Sequence, residues 1–408
     1  MKLPRPSLLT QVSGAHLVSH LHMMALPAVL PLLPGQLGVG FVELGLALSI
    51  FNIVSALVQA PLGFAVDRFG ARRVLTFGLL VGSCSFLSLG LFPGYAWLLV
   101  AMGLAGFANG VYHPADYALL STGIDERRMG RAFSVHTFAG YLGGALAPGM
   151  LLGIAAWQGT RFAFAAAGVA GFIAIALLWV PGRGTTTTAN AEPKEAVASA
   201  RTRRRARGSR VLTPAVFALT CLFVMLSFSG TSIQNFSVSA LVSGYDVALA
   251  LANGALTAFL FASAFGVLAG GALADRTVHH GTVAAVALAV AAALVASVAV
   301  LNPQGFLLVV VLGLAGFLFG VIAPSRDMLV RAAAPVGAEG RVFGIVSTGF
   351  NIGGAVGPVL FGWLLDIGRP EGIFWSAVGF MLVTAVISLL QERRSGRDRG
   401  VVQPAVAR

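Results

Sequence analysis

Twelve stretches of this 408-residue chain are apolar for about the length of a bilayer crossing, six on each side of one polar segment. They run 9–33, 41–66, 74–92, 95–121, 130–156 and 161–181, then 212–242, 247–274, 282–301, 304–330, 341–365 and 371–390. A hydrocarbon layer of about 30 Å takes roughly 20 apolar residues of helix. No water reaches backbone amides there, so such stretches must bond internally as helices. With 57% hydrophobic and only 10% charged residues, the chain cannot cover a water-facing surface. The expectation is an all-α polytopic membrane protein. Its parts would be a six-helix bundle over 1–181, a basic linker over 182–211 and a second six-helix bundle with a short tail over 212–408.

The polar stretch Pro181 to Arg210 holds four successive threonines, Thr185 to Thr188, and the run Arg201-Thr202-Arg203-Arg204-Arg205-Ala206-Arg207. It has no apolar periodicity and reads as a linker. The formal net charge of +12 raises the question of nucleic acid, but the basic residues sit between apolar segments and form no face of a soluble fold. Nucleic acid is therefore excluded as a partner; the lipid bilayer is the implied one. Lys2, Arg5, Arg68, Arg72, Arg73, Arg127, Arg128, Arg131, the linker arginines, Arg276, Arg331, Arg341 and the C-terminal arginines all fall on one side of the membrane. Arg161 and Arg369 fall opposite. The positive-inside rule makes the rich side cytoplasmic, with both termini there, in a bacterial inner membrane. Lys2 and Arg5 before an apolar stretch look like a signal peptide. That stretch carries His16, His20, His22 and Pro27 and has no clear cleavage site, so it reads as an uncleaved first helix. Cys84 and Cys221 both lie in apolar runs and support neither a disulfide nor a metal framework.

The chain repeats itself. Gly103-Leu104-Ala105-Gly106-Phe107 recurs 210 positions on as Gly313-Leu314-Ala315-Gly316-Phe317. The match continues without a gap. Gly110 and Pro114 pair with Gly320 and Pro324; Gly130, Arg131 and Phe133 with Gly340, Arg341 and Phe343; Gly143, Gly144, Ala145 and Pro148 with Gly353, Gly354, Ala355 and Pro358. A second echo relates Gly63-x-x-x-Asp67-Arg68 to Gly271-x-x-x-Asp275-Arg276. Repeats with an even number of helices keep one orientation, so the two halves are related by an axis along the membrane normal and can rock about a central cavity.

With this repeat and the run from Gly63 through Asp67, Arg68, Gly70, Arg72 and Arg73, the chain resembles the major facilitator superfamily over nearly its whole length. Val18-Ser19-His20 and Val111-Tyr112-His113-Pro114 resemble, more narrowly, the fosmidomycin-resistance-type group of drug and metabolite exporters. Two departures bear on coupling and direction. Met102 stands where many proton-coupled members carry arginine, and Gly143-x-x-x-Ala147-Pro148 stands where exporters have Gly-Pro. The resemblance implies two pseudo-twofold-related six-helix bundles, the major facilitator fold. It also implies a gating role for Asp67 and Asp275, each near the N-terminus of a helix of the other half, with Arg68, Arg72, Arg73 and Arg276 anchoring the loops.

Ionisable groups inside a membrane are costly, about 3 kcal/mol at a helix centre, so the few present are either candidates for solute or proton handling or polar groups satisfied by a neighbouring helix. His16 and His20 are four residues apart on one face of the first helix. Two ligands are too few for zinc, and no metal or cofactor is expected. His113 and Asp116, three apart on the fourth helix, have Ala323 and Arg326 as repeat counterparts, and His136 has Val346. The offset suggests that Asp116 and Arg326 meet across the cytoplasmic gate in the outward-open state; the local alternative pairs Arg326 with Asp327, which diverges from it by about 100°, and Asp116 with His113. Gln234 and Asn235, with Asn52, Gln59 and Asn351, are candidate neutral cavity ligands or interhelical hydrogen bonds. No Gly-x-x-x-x-Gly-Lys-Ser/Thr run is present to support ATP-driven transport. The expectation is a monomeric secondary transporter of a small organic solute, with proton-coupled efflux leading and proton-coupled uptake as the alternative. A membrane enzyme using His113 and Asp116 is a remote third reading.

Overall fold

A computed structural model describes residues 6–125, 128–181, 212–335 and 339–402. The linker 182–211 lies outside the described residues, as do Lys2, Arg5, Arg127 and the side chain of Arg341. Among the described residues eleven helices are long and apolar enough to cross a membrane, and a bent pair supplies a twelfth span. They are α1 (Leu8–Met23, continued by Ala25–Leu37), α2 (Phe41–Phe69), α3 (Ala71–Leu91), α4 (Tyr95–Gly123), α5 (Met129–Gln158) and α6 (Thr160–Trp179). The second half has α7 (Pro214–Gly244), α8 (Leu249–Ala274), α9 (His280–Leu301), α10 (Phe306–Ala333), α11 (Glu339–Asp366) and α12 (Glu371–Val402).

Two spans depart from straight helices. The segment read as one helix over 9–33 bends by 44° at Met24. Pro27, Pro31 and Pro34 follow within one short stretch and lack the N–H that continues a ladder, so the chain passes through a 3₁₀ turn at Leu30–Leu32. In α7 the Ser232–Phe236 turn is a π-helix, a local widening that often marks function.

The repeat is visible in the packing. In the first half α1 lies on α5, α2 on α4 and α3 on α6; in the second α7 lies on α11, α8 on α10 and α9 on α12. The same glycines make the same approaches. A Cβ at Gly106 would strike the Phe51 carbonyl, and one at Gly316 would strike the Phe259 carbonyl. Gly110 and Gly320 abut the carbonyls of Ser55 and Ser263 in the same way. With no hydrophobic drive between helices in lipid, close backbone approach supplies the van der Waals contact that holds each bundle.

The halves meet along α2 with α11 and α5 with α8. At the start of α2 and the end of α11, Gly45 abuts the Pro358 carbonyl and Gly362 the Phe41 carbonyl. The α5–α8 seam runs through Gly149 beside Thr257 to Phe138 on Phe265, ring centroids 5.8 Å apart. The membrane face where α1 begins, α6 ends and α7 begins is the linker face. The α2–α11 contacts lie at the far face and the α5–α8 seam reaches mid-depth. Asp67, at the linker-face end of α2, is exposed. The molecule is thus closed at the far face and open toward the linker face.

Candidate functional site

Three helices of the first half bring five titratable side chains together. His16 Nδ1 on α1 lies 3.2 Å from Asp116 Oδ2 on α4, and His136 Nε2 on α5 lies 3.6 Å from the same oxygen. The His16 and His136 rings stack with centroids 3.9 Å apart. Asp116 is 0% exposed, His136 1% and His16 4%. His20 meets His16 edge-on at 4.8 Å and stacks on Tyr141, while His113 meets His16 at 5.4 Å and stacks on Tyr117. His113 is exposed and His20 half-buried, so these two lead from the cavity to the enclosed group. Gly140 of α5 makes the space: a Cβ there would sit 2.7 Å from His16 Nε2 and 2.9 Å from His20 Cδ2.

Both Asp116 oxygens, both His136 nitrogens and His16 Nδ1 are buried without a well-formed hydrogen bond. A buried carboxylate in that condition must take up a cation or a proton. The three donors lie within 4.8 Å of one another, and two of their separations approach the roughly 3.4 Å ligand–ligand edge that ~2.05 Å bonds give around zinc. The stacked rings, tilted only 24°, set their in-plane lone pairs side by side, so one ring must turn before both could bind one metal ion. A proton shared between an imidazole and Asp116 needs no such movement.

Two sequence expectations are corrected here. His113 and Asp116 do not form a pair: Asp116 points inward to His16 and His136 while His113 turns to the cavity. Asp327 is the partner of Arg326 after all, with Nε and Nη2 at 2.9 and 2.8 Å from its Oδ1. The long arginine side chain curls back over the divergence between adjacent Cβ positions. In this state, open toward the linker face, Asp116 is sealed inside its own half and Arg326 is engaged by Asp327; the Asp116–Arg326 pairing expected with the cytoplasmic gate closed belongs to the opposite state. His22 is a packing residue, 2.8 Å from the Ala167 carbonyl and resting on Phe86.

In the second half the guanidinium of Arg326 lies over Phe223 at 4.8 Å and Phe350 at 5.2 Å. Gln234 and Asn235 sit in the π turn of α7, half-buried and without a side-chain hydrogen bond among the described residues. Asn52 instead bonds back to the Leu48 carbonyl. In the loop motif, Gly70 takes φ +89° to turn the chain between α2 and α3. Arg72 donates to the Leu178 carbonyl at the end of α6 and to Gln11 Oε1, tying the loop to two helices. Asp67, Arg68, Arg73, Asp275 and Arg276 are exposed, and Gly63 lines a cavity of about 390 Å³ with Phe64, Asp67 and Pro114.

The sequence matches the Major Facilitator Superfamily over residues 12–252 and 220–405. The chain belongs to that superfamily. Curated relatives include the fosmidomycin resistance protein of Escherichia coli K12, 24% identical with 88% of this chain and 86% of that one covered. The quinolone resistance protein NorA of Staphylococcus aureus is 22% identical, covering 90% and 92%. The MFS-type transporter YfnC of Bacillus subtilis, itself uncharacterized, is 23% identical over 92% and 90%. Among solved structures, a bacterial homolog of the human lysosomal transporter Spinster superposes with TM-score 0.73 at 15% identity, covering 96% and 97%. This superfamily member is a multi-pass membrane transporter of small solutes and not an enzyme, so the acid–base enzyme reading of His113 and Asp116 falls away.

Of the functional candidates, Gly140, Tyr117 and Tyr141 went unread in the sequence. Gly140 had a usable signal, because the gapless repeat sets it opposite Phe350. A glycine facing a phenylalanine in otherwise matching helices marks a place where one half makes room.

Proposed function

We propose that the protein is a proton-coupled exporter of a small organic solute, working by alternating access with its linker face toward the cytoplasm of a bacterial cell. The observation that carries this is Asp116, fully buried between two histidines of the first half. A fixed carboxylate at that depth is tolerable when protonated or paired with an imidazolium, and becomes costly when the proton leaves. Loading and unloading it therefore biases the two conformations. His113 and His20 connect it to the cavity, and an imidazole, with one nitrogen that can accept and one that can donate a proton, is a natural relay. Solute would be held by the facing half, where Gln234 and Asn235 in the π turn of α7 offer amide groups and Arg326, lying over Phe223 and Phe350, offers a cation. The arginine asymmetry supports the orientation, and relatives named for drug resistance support the outward direction.

The test is purified protein in liposomes under an imposed pH gradient, followed by everted and right-side-out vesicles. Fosmidomycin and a quinolone, taken from the relatives, are the first probes. Proton-driven accumulation inside everted vesicles is expected. Accumulation only in right-side-out vesicles would convert the reading to uptake, and transport indifferent to the gradient would remove proton coupling.

A further inference from the structure

The far face is held shut by a contact that neither the loop motif nor the site explains. Asp366, the last residue of α11, crosses to the other half and accepts the first amides of α2: Phe41 N–H to Oδ1 and Val42 N–H to Oδ2, both at 2.8 Å. Gly40 gives its own N–H to Glu43 Oε2 at 3.0 Å. A side chain at 40 would press on the carboxylate, its Cβ 2.8 Å from Asp366 Oδ2. A carboxylate on the first turn of a helix meets both free N–H groups and the positive end of the dipole, and such charge-assisted bonds are among the strong ones. Below it, Gly362 and Gly45 let the two backbones touch.

α2 and α11 run antiparallel side by side, so each helix ends where the other begins. Asp366 ends α11 beside the start of α2 at the far face. Asp67 ends α2 at the linker face, on the side where α11 starts. In this structure Asp366 is engaged and Asp67 is exposed without a side-chain partner among the described residues. We propose that Asp366 is the far-face gating residue, the reciprocal of Asp67: one helix pair carries a carboxylate latch at each end, and only one latch closes at a time. Breaking the Asp366 latch frees the far face to open; breaking that of Asp67 favours the state seen here. The inference rests on alternating access alone and stands or falls apart from proton coupling.

The repeat does not supply this residue. Counting back 210 positions from Asp366 gives Ala156, so the far-face carboxylate is peculiar to α11.

The test reads the far face directly. Spin labels at Trp157→Cys and Phe306→Cys, exposed far-face ends of α5 and α10, are placed in a Cys84→Ala, Cys221→Ala background. Distances are measured by double electron–electron resonance in nanodiscs. Asp366→Asn is expected to raise the ratio of far-face-open to far-face-closed molecules about tenfold. Phe41→Pro is the second variant: it deletes one donor of the latch at a first helical position where proline is accepted, and is expected to shift the ratio the same way. Asp67→Asn is expected to shift it in the opposite direction. Unchanged distances in Asp366→Asn or Phe41→Pro would overturn the latch, as would shifts of the same sign in Asp366→Asn and Asp67→Asn.

Discussion

The two halves share one scaffold and carry different chemistry at equivalent places. At an offset of 210, His16 faces Leu226, His20 faces Gly230, His136 faces Val346 and Gly140 faces Phe350. The first half buries histidines around Asp116; the second fills the same volume with Leu226, Val346 and the Phe223–Phe350 pair, on which Arg326 lies. The helix contacts that set the bundle, Gly106 on Phe51 and Gly316 on Phe259, are meanwhile unchanged. The helix contacts are kept in both halves, and the halves differ where proton and solute handling are proposed. The lesson is that asymmetry inside a symmetric scaffold locates function more sharply than any single motif.

The largest expected effect attacks the titratable side of this comparison. Asp116→Asn keeps size and polarity but removes the exchangeable charge. Accumulation driven by a pH gradient in liposomes should fall at least about 100-fold, a loss of roughly 2.7 kcal/mol or more of coupling. Counterflow, which needs no gradient, should survive. Retained uphill transport in this variant would break the assignment of proton work to the first half.

A smaller effect should come from crowding the histidines. Gly140→Ala puts a methyl group against both His16 and His20 while leaving every titratable group in place. Transport is expected to drop about tenfold with a displaced pH profile, since overpacking of this kind costs about 1–3 kcal/mol at the site. The matching change in the other half, Phe350→Ala, should leave the pH profile alone. On the second half, Arg326→Gln should weaken solute binding about tenfold with gradient dependence intact, because the lost contact is a charged hydrogen bond and not the proton site. If Arg326→Gln abolishes coupling and Asp116→Asn only weakens binding, the division of labour is reversed.

The sequence carried much of this. Helix number, the repeat and the loop motif are legible because lipid forces a length and an apolarity on every span, and because glycines stay wherever backbones touch. The names of four histidines and Asp116 were legible too, since so few ionisable groups lie in apolar runs. Their arrangement was not. Local spacing pairs His113 with Asp116 and His16 with His20, but the true partners of Asp116 come from α1 and α5. Which side of a helix faces a neighbour is a tertiary fact that spacing along one helix does not carry. The Arg326–Asp327 contact is unexpected for a different reason, the reach of a long flexible side chain beyond its Cβ direction. Asp366 was invisible because nothing repeats there and its partners are backbone amides 324 and 325 positions away.

The smallest expected effect is a difference close to zero, and it tests the shared half of the comparison. Gly106→Ala presses on the carbonyl of Phe51, and Gly316→Ala presses on that of Phe259. Neither obstacle is a side chain that can swing aside; both are backbone inside a helix whose ladder fixes it. Each change must therefore push two helices apart, α4 from α2 in one case and α10 from α8 in the other. Overpacking of this type costs about 1–3 kcal/mol. If the two bundles are built alike, the two costs should agree within about 0.5 kcal/mol, near the limit at which independent sites are told apart. Thermal unfolding in one detergent, with intact protein confirmed by gel filtration, gives the comparison directly. Equal shifts would show that the halves differ in cargo chemistry and not in mechanical support. A much larger loss for Gly106→Ala would mean that the histidine-bearing half depends on closer packing than its partner, and the symmetry of the scaffold would then be only topological.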